Sequence, residues 1–148
     1  MRRVIPANKV NHDYEKVLSE FVSALKNRLG EYLLMVYLTG SYARGDANDN
    51  SDLDVFCIFS TINQYVLENV GHCARNTSIP YDLLEINTQC LSVDEYKSKI
   101  FEDWSEYAIA ELNSVLLYGE QLVKIENINE KIQLSYKKNL ANILMLSL

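Results

Sequence analysis

From Tyr14 the apolar residues fall at Tyr14, Val17, Leu18, Phe21, Val22, Leu25 and Leu29, and Gly30 follows. Spacing of i, i+3, i+4, i+7 puts them on one stripe, so an amphipathic helix is predicted here, stopped by the glycine. YLLMVYL, Tyr32 to Leu38, is a continuous apolar run of strand length and predicts a strand buried on both faces. Tyr42 to Ser51, rich in Gly, Asp, Asn and Ala, reads as a loop, and LDVFCIF, Leu53 to Phe59, as a second buried strand. Helical spacing returns at Ile62, Tyr65, Val66, Val70 and Cys73; a turn with Pro80 then leads to YDLLEIN, Tyr81 to Asn87, read as a third strand.

Ser92-Val93-Asp94-Glu95 has the S-x-x-E capping-box form and opens a further helix. A longer helix is predicted through Trp104, Tyr107, Ala108, Leu112, Val115 and Leu116, stopping near Gly119. A last one carries Ile128, Ile132, Tyr136, Leu140, Ile143 and Leu144 on one stripe. The closing LANILMLSL is nearly all apolar and is expected to pack on the domain's own core or against another chain. No internal repeat, low-complexity segment or dividing linker interrupts this order. Residues 1–148 are therefore read as a single domain, with a core over about 12–90 and a helical extension over about 92–148.

Composition narrows the chemistry. With 148 residues and 48% hydrophobic positions, the chain can bury roughly 68–70% of its unfolded surface without a disulfide or structural metal. Twenty acids against 14 bases leave a net charge of −6, which argues against general binding to nucleic acid or an acidic membrane surface. The longest apolar run is too short to span a bilayer. Cys57, Cys73 and Cys90 lack C-x-x-C spacing, so neither a disulfide framework nor a zinc site is expected, and a reducing cytoplasm fits. His12 and His72 have no second ligand nearby in sequence and are assigned to surface or cap positions.

The informative stretch runs from Leu38 to Phe56. Asp52 and Asp54 are two apart on a strand and share one side. Like charges side by side at the start of an apolar strand are costly unless cations neutralise them, and an oxygen-only set suits Mg²⁺ or Mn²⁺. Gly40-Ser41, directly after a buried strand, lets backbone N–H groups approach a ligand and adds a hydroxyl, a combination suited to holding phosphate. Asp82 shares parity with Leu84 and Ile86 in the third strand and could complete a metal cluster or act as a base. Arg44 either reaches a triphosphate or braces the loop through Asp46 or Asp49. Tyr42 packs under its own loop or stacks on a base; packing is favoured.

Gly40-Ser41, the ten residues Tyr42 to Ser51, and Asp52-Leu53-Asp54 form the pattern Gly-Ser, ten residues, Asp-x-Asp. This stretch resembles the nucleotidyltransferase superfamily that includes DNA polymerase β, and within it the minimal and antibiotic-modifying transferases. The resemblance is specific from about Tyr37 to Phe56 and weaker out to about Asn87. It implies an α+β fold, a small mixed sheet with helices on one face. It also implies that Asp52, Asp54 and Asp82 hold metal, and that Gly40 and Ser41, with Arg44, hold nucleotide phosphates. The implied reaction moves a nucleoside monophosphate, AMP from ATP in the favoured version, to an acceptor hydroxyl, with Mg²⁺ or Mn²⁺ as cofactor.

About 60 residues follow Asn87, fewer than the helical domain that drug-modifying relatives add. Minimal relatives act as antitoxins that adenylylate a tyrosine of a helical, HEPN-type toxin. That toxin's R-x4-H-x-Y motif does not occur in this chain, so such a partner would be a separate polypeptide. An aminoglycoside, lincosamide or other small-molecule acceptor is the alternative and would call for a homodimer. A non-catalytic partner-binding module with this fold is the second alternative.

Overall fold

The two apolar runs at the centre of the chain become the two central strands. In the computed structural model, which describes residues 13–48, 50–81, 84–102 and 114–120, β1 is Leu33–Thr39 and β2 is Leu53–Phe59. They pair antiparallel, from Leu33↔Phe59 to Thr39↔Asp54. Helix α1, Asp13–Leu29, precedes them; α2, Gly40–Arg44, is a short helix between them. Helix α3, Gln64–Ser78, crosses from β2 to β3, Ile86–Ser92, which pairs parallel with β2. Helix α4, Val93–Glu102, and β4, Val115–Gly119, complete the described elements, and the strand order β3-β2-β1-β4 makes a mixed sheet. The expected α+β architecture is observed.

Strand alternation sorts the core into two faces. Leu53, Val55, Cys57 and Phe59 of β2, with Val36 and Leu38 of β1, pack against Val17, Phe21 and Leu25 of α1 and Val66, Val70 and Cys73 of α3. The opposite face carries Tyr37 stacked on Phe56, ring centroids 5.1 Å apart, with Tyr96 of α4 tilted against Tyr37 at 6.4 Å. Asp54 belongs to this second face by alternation with Phe56. Local signals set several ends. Asn63 caps α3 by accepting from the Val66 N–H at 2.9 Å. The predicted capping box forms reciprocally, with Glu95 N–H donating to Ser92 Oγ at 3.1 Å and Ser92 N–H donating to Glu95 Oε1 at 3.3 Å.

Three expectations are corrected. The third strand starts at Ile86, not Tyr81: the Tyr81 N–H bonds Ser78 O at 2.9 Å and the Leu84 N–H bonds Tyr81 O at 3.2 Å, so this stretch closes a turn. Asn87, Thr88 and Gln89 form strand because β2 supplies their backbone partners, and periodicity cannot report a partner distant in sequence. Val115 to Gly119, expected as a helix end, is β4, paired with the free edge of β1 from Met35↔Gly119 to Leu38↔Val115. A short apolar run fits either element, and the exposed edge of β1 decides it. Gly40 to Arg44, read as a turn entering a loop, forms one helical turn that Gly45 ends with φ of 83° and an N–H bonded to Ser41 O. The expectations for His12, Asp49, Asp82, the helices over Trp104 to Leu112 and Ile128 to Leu144, and the closing LANILMLSL lie outside the described residues. His72 is half-buried, its Nε2 2.8 Å from the Asn76 side-chain amide.

Cys57 and Cys90 are register partners on β2 and β3, and all three cysteines are free thiols. The hydrogen bond to Cys90, then burial, pushes the Cys57 thiol well up from its ordinary range, whereas the bond from Cys57 lowers Cys90. Burial raises Cys73. Because the thiolate is the nucleophile, iodoacetamide at neutral pH is expected to label half-buried Cys90 first, with Cys57 and Cys73 reacting only on unfolding. Peptide mass spectrometry of a labelling time course would show the order, and early modification of Cys57 would contradict it.

Candidate active site

The register that joins β1 to β2 also builds the site. Thr39, the last residue of β1, lies level with Asp54, so the chain leaving β1 at Gly40 starts beside that carboxylate. Gly40 has φ of 73°, a left-handed conformation that lets the strand turn straight into α2. A Cβ at Gly40 would run into the Asp54 carboxylate oxygen Oδ2, so the glycine is required twice, for its dihedral and for the space it leaves.

The loop between α2 and β2 is tied down by its own polar side chains. The Asn48 N–H donates to Ser51 Oγ at 2.9 Å, the Asn50 N–H to Asn48 Oδ1 at 2.9 Å, and the Ser51 N–H to Asn48 O at 3.0 Å. Asn48 and Ser51 are buried, as is Ala47 between α2 and this turn. The Asn/Asp-rich composition thus acts as local turn chemistry that brings Asp52 back beside Gly40.

The result is an open pocket of about 470 Å³. Gly40, Ser41 and Arg44 form one side and Asp52 and Asp54 another; Asp46, Asn48, Asn50 and Ser51 close it. The structure therefore gathers five of the six residues singled out in the sequence, while Asp82 lies outside the described residues. Arg44 Nε contacts Asp46 Oδ2 at 3.4 Å, with both side chains about half exposed, so the bracing pair exists and contributes little, about 0–1 kcal/mol. Tyr42 packs, as favoured, but on Tyr14 of α1 with ring centroids 5.0 Å apart and not under its own loop.

Sequence reasoning missed Asn87. It lies level with Asp54 on the adjacent parallel strand, and its Nδ2 donates to Asp54 Oδ1 at 3.1 Å. The signal for it is the β2–β3 register, which no local pattern in the chain contains.

Electrostatics constrain what the pocket can hold. Among the described residues, the carboxylates of Asp46, Asp52 and Asp54 face the guanidinium of Arg44, so a polyphosphate entering alone would meet net negative charge from them. Among the described residues no three His, Cys, Asp or Glu side chains cluster as a metal site. The donors present nonetheless fit a hard divalent cation: the Asp52 and Asp54 carboxylates, with hydroxyl and amide oxygens also in the lining, beside a glycine with no Cβ.

A nucleotidyltransferase domain model matches residues 18–140, spanning most of α1, the pocket and the four described strands. The chain belongs to the nucleotidyltransferase domain family. A Methanocaldococcus jannaschii protein assigned as a protein adenylyltransferase is 39% identical over 54 residues, 36% of this chain and 54% of that protein. The chain thus spans about half the length of that curated relative. In fold it is similar to a toxin-antitoxin structure with AMP-PNP, with a TM-score of 0.53, 16% identity, and 88% of this chain and 95% of the other covered. A mutant of the toxin-antitoxin MntA-HpeT gives a TM-score of 0.53 at 15% identity, over 88% of this chain and 95% of the other. The spectinomycin adenyltransferase AAD(9) from Enterococcus faecialis, solved with ATP and spectinomycin, gives 0.50 at 13% identity, over 77% of this chain and 58% of the other. At these identities the likenesses establish the nucleotidyltransferase fold.

Gly40→Ala is expected to cost about 1–2 kcal/mol in backbone strain, a fall in Tm of a few degrees, and to displace Asp54. Gly45→Ala is the control, with φ of 83° and open space where its Cβ would be. Gly45→Ala should lose the backbone-strain cost alone, and only Gly40→Ala should lose nucleotide binding in a titration. Equal binding by the two variants would show that the packing of Gly40 on Asp54 is not needed.

Proposed function

We propose that this domain is a divalent-metal-dependent enzyme that transfers AMP from ATP to an acceptor hydroxyl, and that the acceptor is a tyrosine of a separate helical protein of the HEPN type, with the domain in the antitoxin role. The observation that carries the reaction class is the placement of Gly40-Ser41 against Asp52 and Asp54 across one pocket. The AMP-PNP held in one structural neighbour, the toxin-antitoxin assemblies among those neighbours, and the protein adenylyltransferase relative support the nucleotide and the protein acceptor.

Each residue has work suited to its chemistry. Gly40 admits a phosphate close to the backbone, and the Ser41 hydroxyl donates to it. Arg44, paired only at an exposed surface, can exchange Asp46 for a phosphate oxygen. Asp52 and Asp54 would hold the Mg²⁺ or Mn²⁺, with Asp82 as the expected third carboxylate and candidate base. The chemistry such an ion supplies is neutralisation of the triphosphate and stabilisation of the leaving pyrophosphate. Hydrolysis of ATP in place of transfer is limited when the acceptor oxygen occupies the in-line position ahead of water.

A small-molecule acceptor is the second reading, favoured by the fold likeness to the spectinomycin enzyme. None of the described helices is long and apolar enough to cross a membrane, and we place the protein in the cytoplasm.

Two measurements test the proposal. ATP with Mg²⁺ is expected to raise the Tm of the wild type by mass action and to leave Asp54→Ala unshifted, while that variant remains folded. An unshifted wild type would point to a binding module without nucleotide. Incubation with α-labelled ATP, a helical protein encoded beside this chain, and a panel of aminoglycosides and lincosamides should place label on a tyrosine of the protein. Label on a drug would replace the acceptor assignment, and ATP binding with no label anywhere would remove both acceptors.

A further inference from the structure

We propose that Asn87 is a positioning residue that holds the Asp54 carboxylate in its pocket-facing orientation. This rests on the nucleotidyltransferase reading above and adds to it a residue on the neighbouring strand. The parallel register sets Leu53 against Ile86 and Asp54 against Asn87, so the two side chains leave the same face of the sheet at the same level. Asn87 Nδ2 donates to Oδ1 of Asp54 at 3.1 Å, while Oδ2 lies where a Cβ on Gly40 would sit. One oxygen is held from β3, and the other points to the space that the absent side chain of Gly40 leaves open.

The choice of an amide follows from the charge of the pocket. Asp46, Asp52 and Asp54 already crowd it, and a carboxylate at position 87 would add repulsion to Asp54 where an amide adds none. Asn87 offers a donor without charge at any pH, so it can orient Asp54 in the empty site as well as the loaded one. Partners that orient a metal-binding carboxylate in this way typically change metal affinity 10–100-fold when removed. Because Asn87 is exposed, its replacement leaves no cavity, and stability and orientation can be separated.

The test uses Mn²⁺ and Mn²⁺–ATP binding, followed by electron paramagnetic resonance, to the full chain carrying Asn87→Ala or Asn87→Asp. About tenfold weaker binding is expected for Asn87→Ala with the Tm essentially unchanged. Asn87→Asp, the same shape without the donor, should bind no more tightly than the wild type. A loss of less than threefold for Asn87→Ala overturns the proposal. Tighter binding by Asn87→Asp also overturns it, because position 87 would then serve as a metal ligand. The contact itself is read without metal or nucleotide: the Asn87 side-chain amide protons should be shifted in ¹⁵N-resolved NMR spectra of the wild type and lose that shift in Asp54→Ala. A wild type that binds no Mn²⁺–ATP removes the nucleotide reading, whereas an amide signal insensitive to Asp54→Ala removes the Asn87 contact.

Discussion

The pairing of β1 with β2 constrains everything that functions in this molecule, because the same ladder that buries the core ends at Thr39↔Asp54. Antiparallel pairing at that end puts the chain leaving one strand beside the carboxylates entering the other. The pocket needs no separate scaffold; it is the open end of the most buried part of the sheet. Leu53 and Val55 flank Asp54 in sequence and are both fully buried against α1 and α3, so the carboxylate is carried on a backbone that has little room to move. That rigidity is what a site for charged ligands requires, since an Å of drift would weaken every contact in it.

The loop between α2 and β2 solves a complementary problem. It must return the chain to β2 while leaving space and oxygen atoms around the ligand. Asn48 does this with backbone and side chain together, so the loop is held by its own hydrogen bonds and not by a ligand. The cost lies in electrostatics: three carboxylates gather near one arginine. A site assembled against its own repulsion gains free energy when a cation enters, and for this reason binding and function are coupled in the proposed reaction.

Residue by residue, the local patterns were legible where the chemistry is local. The α1 stripe, the LDVFCIF strand, the Ser92-Glu95 capping box and the Gly40-Ser41 to Asp52-Leu53-Asp54 spacing each depend on residues close in sequence, and each has its expected counterpart in the structure. Apart from the short helix α2, the misplaced elements are those whose state is decided by a distant partner. Val115 to Gly119 has the apolar content of a helix end, yet β1 has an unpaired edge, and pairing satisfies backbone groups on both strands. Gly119 shows how close that approach is, since a Cβ there would collide with the Leu34 carbonyl.

What the sequence by itself determined is the first helix, the buried central strands, the helix after them and the five residues that meet at the pocket, because burial, turn chemistry and spacing act over a few residues. Tertiary structure alone decided where β3 begins, that the chain near Gly119 is a strand, and that Asn87 meets Asp54. These depend on register between strands, and register is set by side-chain packing across the whole sheet and by backbone pairing between segments distant in sequence, such as the Asp54↔Asn87 pairing that brings those two side chains together.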